Sequence, residues 1–131
     1  MSIEALFEAA RAARAHAYAP YSGFKVGAAV QGESGAIYAG CNVENAAYPV
    51  GTCAEQAAIA ALVAAGERRL TAILVVGEGR TLVTPCGACR QRIREFAALD
   101  APIHAAGPDG LRSSFTLDDL LPCAFGPDNL S

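Results

Sequence analysis

Two short stretches of the chain carry side chains able to do chemistry together: Thr52-Cys53-Ala54-Glu55 and Thr84-Pro85-Cys86-Gly87-Ala88-Cys89. A C-x-x-C pair alone is shared by zinc ribbons, redox motifs and chance. The upstream cysteine changes that reading. A structural zinc site takes four protein ligands, and the well-placed cysteines here stop at three. His16 and His104 stand in no Cys/His spacing pattern and read as surface or core histidines. Three ligands leave one position of a tetrahedral zinc open to water, which is the catalytic arrangement.

Both groups lie where helices are expected to begin. Thr52 is placed to cap a helix starting at Cys53, and Pro85 suits the first position of the next helix. The positive ends of two helices favour thiolates. Three thiolates on one divalent ion still leave net negative charge, so such a site needs cations nearby to keep the metal a useful Lewis acid. Glu55 has two readings. Thr52-x-x-Glu55 fits a capping box, with the glutamate bonding back to backbone. Two residues from a zinc cysteine, the same carboxylate is placed to move protons for water on the metal. The distant C-x-x-C favours this second reading.

The elements that must position these groups can be read from periodicity. Ile3, Leu6, Phe7, Ala10 and Ala13 recur at helical spacing behind Ser2 as N-cap, and Pro20-Tyr21-Ser22-Gly23 breaks that helix. Strands are expected over residues 25–31 and 36–41, joined by Gly32-Glu33-Ser34-Gly35. Residues 42–51 form a loop long enough to be functional. An alanine-rich helix follows over residues 54–65, with Gly66 as C-cap. Residues 71–76 are the clearest buried strand. Pro85 opens a helix running through Phe96 and Leu99, and residues 103–106 form another short strand. Pro108-Asp109-Gly110 is a turn, residues 111–115 a weaker strand, and Thr116-Leu117-Asp118-Asp119 a capping box before a short segment ending at Pro122. This order predicts an α/β fold: a three-layer α/β/α sandwich with a central mixed β-sheet, residues 1–131 forming a single domain.

Composition narrows the function. With 53% hydrophobic and 18% charged residues, the chain is not disordered. No apolar run reaches the roughly 18 residues of a membrane span. Glu4, Glu8, Arg11 and Arg14 at helical spacing exclude a signal peptide at the N-terminus, so the expected address is cytoplasmic. Thirteen acidic against ten basic residues give a net charge of −3, the wrong sign for a nucleic acid polymer as partner. A small uncharged ligand remains compatible. Five cysteines argue against a disulfide framework, and Cys41 and Cys123 read as small buried residues.

At these residues the chain resembles the zinc-dependent deaminases, whose signature is [H/C]-x-E followed by P-C-x-x-C. Here it reads Cys53-Ala54-Glu55, then Pro85-Cys86-Gly87-Ala88-Cys89. The three-cysteine form resembles the small homotetrameric cytidine deaminases. Further matching stretches run from Ala19 to Ala29, from Gly40 to Pro49, from Pro85 to Gln91, and over Leu120-Leu121-Pro122 with Phe125-Gly126-Pro127. The resemblance implies one Zn2+ per subunit on Cys53, Cys86 and Cys89, with water attacking C4 of cytosine. Glu55 would protonate N3 and later pass a proton to the departing ammonia. Asn42 and Glu44 would bond the ribose hydroxyls, Phe24 would pack on the base, and main chain near Ala54 would read its polar edge. Sites would lie at subunit interfaces, with Ala46, Tyr48 and Phe125 acting across them. Without the motifs, Phe24, Tyr48 and Phe125 would read as ordinary core aromatics.

One position departs from the family pattern. The family often has arginine after the glutamate, and this chain has Gln56, which brings no charge. The expectation is a more electron-rich site that leans on Arg90, directly after Cys89, for outer support of the metal. Arg92 and Arg94 read as a solvated basic face, with Arg92 pointing away from the face that Arg90 and Arg94 share at i, i+4. The expected activity is deamination of cytidine and deoxycytidine to uridine and deoxyuridine, within pyrimidine salvage. A related aminopyrimidine nucleoside deaminase, such as one for blasticidin S, is the nearest enzyme alternative. A non-catalytic structural zinc module is the alternative of another class; it requires a fourth protein ligand and indifference to Glu55.

Overall fold

A computed structural model describes residues 2–131. Helix α1 (Ile3–Arg14) starts where expected: the Ser2 hydroxyl accepts the Ala5 N–H at 3.2 Å. Glu4 in its first turn and Arg11 and Arg14 in its last complement the helix dipole. Strands β1 (Gly27–Gly32) and β2 (Ile37–Cys41) pair antiparallel, and β1 also pairs antiparallel with β3 (Leu70–Val76). Between β2 and β3 lies helix α2 (Ala54–Ala64). Helix α3 (Gly87–Phe96) crosses from β3 to the parallel strand β4 (Pro102–Gly107), and β5 (Gly110–Thr116) closes the sheet antiparallel to β4. The sheet order is β2-β1-β3-β4-β5. A four-residue helix α4 (Leu117–Leu120) follows, opened by the expected capping box between Thr116 and Asp119.

Period-2 alternation divides the core into two layers. Ile73 and Val75 of β3 point with Ala28, Val30 and Ile103 toward Ala58, Leu62 and Ile93 of α2 and α3. Leu74 and Val76 point the other way, with Ala29, toward Leu6 and Ala10 of α1. Each fully buried Leu or Ile contributes roughly 1.5–3 kcal/mol. The three-layer mixed-sheet sandwich is thus the observed architecture. Gly40 of β2 lets α2 lie close on the sheet, since a Cβ there would meet the Ala57 Cβ and the Ala58 N at 2.6 Å.

Several boundaries differ from expectation for identifiable reasons. β1 begins at Gly27 because backbone groups of residues 25 and 26 are engaged elsewhere: the Lys25 carbonyl accepts Arg14 Nε at 3.0 Å, and the Val26 N–H donates to the Asn42 side chain at 2.9 Å. The helix after the C-x-x-C stops at Phe96, not Leu99, because Ala97 is extended and packs into the core. Neither helix start is capped as read. Cys53 itself is the N-cap of α2, without a side-chain bond, and the Thr52 backbone instead pairs with Val43. Cys86 is the N-cap of α3, which puts Pro85 one residue before it. The capping-box reading of Thr52 and Glu55 therefore fails.

Candidate active site

The two helix starts meet at one corner of the sheet. Cys53 at the head of α2, and Cys86 and Cys89 in the opening turn of α3, bring their sulfurs within 4.8 Å of one another. No further His, Cys, Asp or Glu joins this group among the described residues. His104 lies on β4 bonded to Ser114 at 2.7 Å, outside the group. A structural zinc module would need a fourth ligand; the trio leaves a tetrahedral position open. The chemistry of the donor set suits zinc: two ligands at about 2.3 Å from one tetrahedral ion lie about 3.8 Å apart, inside the observed spread.

Glu55 sits in the first turn of α2, 5% exposed, next to the sulfurs. Burial holds its carboxyl above the usual carboxylate range, against its own backbone N–H, the Cys89 thiol and the Arg92 guanidinium, which pull it down. Burial likewise pushes the Cys89 thiol up, reinforced by the charges of Glu55, Cys53 and Cys86. Cys53 is raised chiefly by burial too. For Cys86 burial also acts upward, yet the N–H groups of Cys89 and Ala88 at the helix start outweigh it and bring the thiol below its ordinary range. Burial disfavours ionisation of Cys53, Glu55 and Cys89, while Cys86 is exposed; a divalent cation held by the three sulfurs would favour their thiolate forms.

A cleft of about 430 Å³ opens from Cys53 along the loop of residues 42–51. Asn42, Glu44 and Tyr48 line it, together with Tyr21, Ser22 and Thr52, none of which was expected as a substrate-binding residue. The loop is tied at both ends. Val43 exchanges backbone bonds with Thr52 at 2.9 and 2.8 Å, while Tyr18 bonds Asn42 and Glu44 at 3.0 and 2.8 Å. The Asn42 amide spans the segment before β1, accepting from the Val26 N–H and donating to the Phe24 carbonyl, both at 2.9 Å. Glu44 accepts the Tyr21 and Ser22 N–H groups at 3.0 and 3.1 Å and the Ser22 hydroxyl as well. The Ser22 hydroxyl, then its N–H, hold the Glu44 carboxyl below its usual range. Ala54, buried at the first position of α2, has a backbone N–H at the helix end that needs a partner.

Phe24, Ala46 and Phe125 do not line this cleft within the chain. Phe24, Tyr48 and Phe125 are 42%, 74% and 58% exposed, so the core-aromatic reading fails for all three. Cys123, expected to be buried, is also exposed, at φ 54°. The arginines are redistributed as well. Arg90 touches no sulfur: it donates to the Pro85 and Leu120 carbonyls and the Thr84 hydroxyl at 2.7, 2.8 and 2.9 Å, bracing the loop into Cys86. The arginine on the cluster is Arg92, whose Nη1 lies 3.5 Å from the Cys89 sulfur. Arg94 is not solvated either; its side chain is 13% exposed and turned toward Asp128. Helical spacing alone underlay the opposite expectation, and the signal it lacked was the i, i+3 reach from Arg92 back to Cys89.

Residues 1–105 match the family model for the cytidine and deoxycytidylate deaminase zinc-binding region. The chain is 44% identical over all 131 residues to a cytidine deaminase of Sporosarcina psychrophila, covering 96% of that protein. Among solved structures, a cytidine deaminase from Burkholderia pseudomallei superposes with a TM-score of 0.89 at 46% identity, over 95% of this chain and 100% of that one. The cytidine deaminase of Mycobacterium tuberculosis does so at 0.82 and 40% identity, over 96% and 98%.

Proposed function

The chain belongs to the cytidine and deoxycytidylate deaminase zinc-binding family, and from that membership we propose that it is a zinc-dependent hydrolase converting cytidine and deoxycytidine to uridine and deoxyuridine with release of ammonia. The observation that carries this reading is the convergence of the Cys53, Cys86 and Cys89 sulfurs beside the buried carboxyl of Glu55. The three sulfurs would hold one zinc per chain. Zinc in such an open site supplies Lewis acidity and lowers the pKa of water.

The chain's own residues do the rest. Glu55 takes one proton from the attacking water and delivers it to N3 of the cytosine ring, then takes the second proton from the same oxygen and passes it to the leaving amino group. Its burial keeps bulk water from competing for that proton. Asn42 and Glu44, on the cleft wall, bond the ribose hydroxyls, a neutral diol suited to one amide and one carboxylate. The free N–H groups at the start of α2, near Ala54, read the polar edge of the base. Phe24 packs on the base. Gln56 and Arg90 support the metal ligands from outside, Arg90 through the loop it braces.

The exposure of Tyr48 on the cleft wall and of Phe125 outside the cleft supports a homotetramer in which Ala46, Tyr48 and Phe125 act across subunit boundaries. The continuous sheet, with β5 beyond the family-matched residues, supports one catalytic domain over residues 1–131. Among the described residues, no helix is long and apolar enough to cross a membrane. The reading places the enzyme in cytoplasmic pyrimidine salvage, with a free nucleoside as partner and no nucleic acid polymer.

Ultraviolet monitoring of cytidine with the purified protein, before and after metal removal and zinc return, tests the reading. The expected result is deamination that disappears with the metal and returns with zinc. Stable cytidine with zinc fully bound would redirect the assignment to another aminopyrimidine nucleoside.

A further inference from the structure

Three thiolates and a nearby carboxylate outweigh the charge of one divalent ion, so the corner needs a cation beyond the two helix ends. The neutral Gln56 supplies none. Arg90 is committed to three oxygens of the loop and of α4, and Arg94 is turned to the C-terminal segment. That leaves Arg92. Its Nη1 lies 3.5 Å from the Cys89 sulfur, one helical turn back along α3. Among the described residues this is the one hydrogen bond its side chain makes. The Cys89 end of the contact is fully buried and the Arg92 side is half-buried, so the charge acts through less water than a surface pair would.

We infer that Arg92 is the positioning residue of the metal centre: its guanidinium, bonded to the Cys89 sulfur, limits how strongly that thiolate donates to the ion and so keeps the ion electrophilic. A hydrogen bond to a thiolate stabilises the lone pair that would otherwise be given to the metal, and a cationic donor does so more strongly than a neutral one. In a chain with Gln56 in the first turn of α2, the compensating charge comes from α3 instead. The inference rests on the zinc reading of the three cysteines.

The test uses the full chain loaded with Co2+ in place of zinc, whose thiolate-to-metal charge-transfer band reports how readily sulfur gives up electron density. Arg92→Gln should move this band to lower energy relative to the unaltered protein. The zinc form of the variant should lose about tenfold in kcat for cytidine, at little change in KM. Arg92→Lys, which restores charge, should return the band and most of kcat. A glutamine variant that binds cobalt fully and keeps the band in place would overturn the inference, as would a lysine variant whose band moves as far as glutamine's. Should glutamine not fold, Arg92→Met carries the same two outcomes. If the unaltered protein binds cobalt without any thiolate band, the zinc reading itself fails, a result distinct from an unmoved band.

Discussion

The cysteine corner and the cleft wall adjoin each other and are built on opposite terms. At the corner, Cys89 and Glu55 are buried, and two helix starts packed on one sheet fix the three sulfurs within 4.8 Å. Along the wall, residues 45–51 are exposed, Tyr48 stands 74% open, and the polar side chains of Asn42 and Glu44 are already bonded within the chain. Groups that ionise or move protons need a fixed, dry environment, which one chain supplies by folding. Groups that grip a nucleoside need access for it. An exposed aromatic edge then stays unfinished until a second surface covers it.

The sharpest way to break this contrast is Glu55→Gln. The amide preserves shape in a buried position, so the fold and the zinc content should survive. The proton path should not. The expected loss is at least 10²–10⁴ in kcat, read by the same ultraviolet assay alongside metal analysis of the variant. Full activity in a zinc-loaded Glu55→Gln protein would mean that the buried corner is a structural metal site.

A smaller effect is expected on the wall. If Phe125 and Tyr48 complete a neighbouring copy's site, Phe125→Ala should raise KM about tenfold, the scale of an aromatic truncation at a packed contact, with less change in kcat. Activity per chain should also fall on dilution as the assembly dissociates, followed by light scattering over the same concentrations. A monomer with constant specific activity would make the wall self-sufficient and remove the contrast.

What the sequence disclosed follows the same division. The α/β/α layering was legible because the unbroken apolar run in residues 71–76 and helical spacing in α1 report burial directly. The cysteine trio was legible because its spacing is local on one helix and shared with only one other. Helix caps were misread by one residue, because Thr52 had an alternative partner in Val43 from a distant loop. Arg90 and Arg92 exchanged expectations for a similar reason: face arithmetic gives direction on a helix but not which side chain reaches back to a sulfur and which is drawn away by carbonyls of another segment. Tyr21 and Ser22 went unnoticed as cleft residues because only the fold brings that turn to Glu44, more than twenty positions along the chain.

Glu44 offers the finest test, because it belongs to the wall yet is held as firmly as a corner residue. Its carboxylate pins the turn at Tyr21 and Ser22, and its pKa is lowered by the Ser22 hydroxyl and the adjacent N–H groups. A depressed folded-state pKa means that, as pH falls, the unfolded chain takes up the proton first. The stabilisation is therefore complete above the ordinary glutamate value of about 4.3 and is lost as pH drops through the lower folded value. Glu44→Gln should remove that part of the acid limb, seen as a gap between wild-type and variant melting temperatures that narrows below about pH 4.3. It should also raise KM for cytidine several-fold at neutral pH, if the same carboxylate still has lone pairs free for the ribose. A raised KM with no pH-dependent gap would make Glu44 purely a recognition group. A closing gap with unchanged KM would make it a strut, and would move sugar recognition to Asn42 and to the surface contributed by a neighbouring copy.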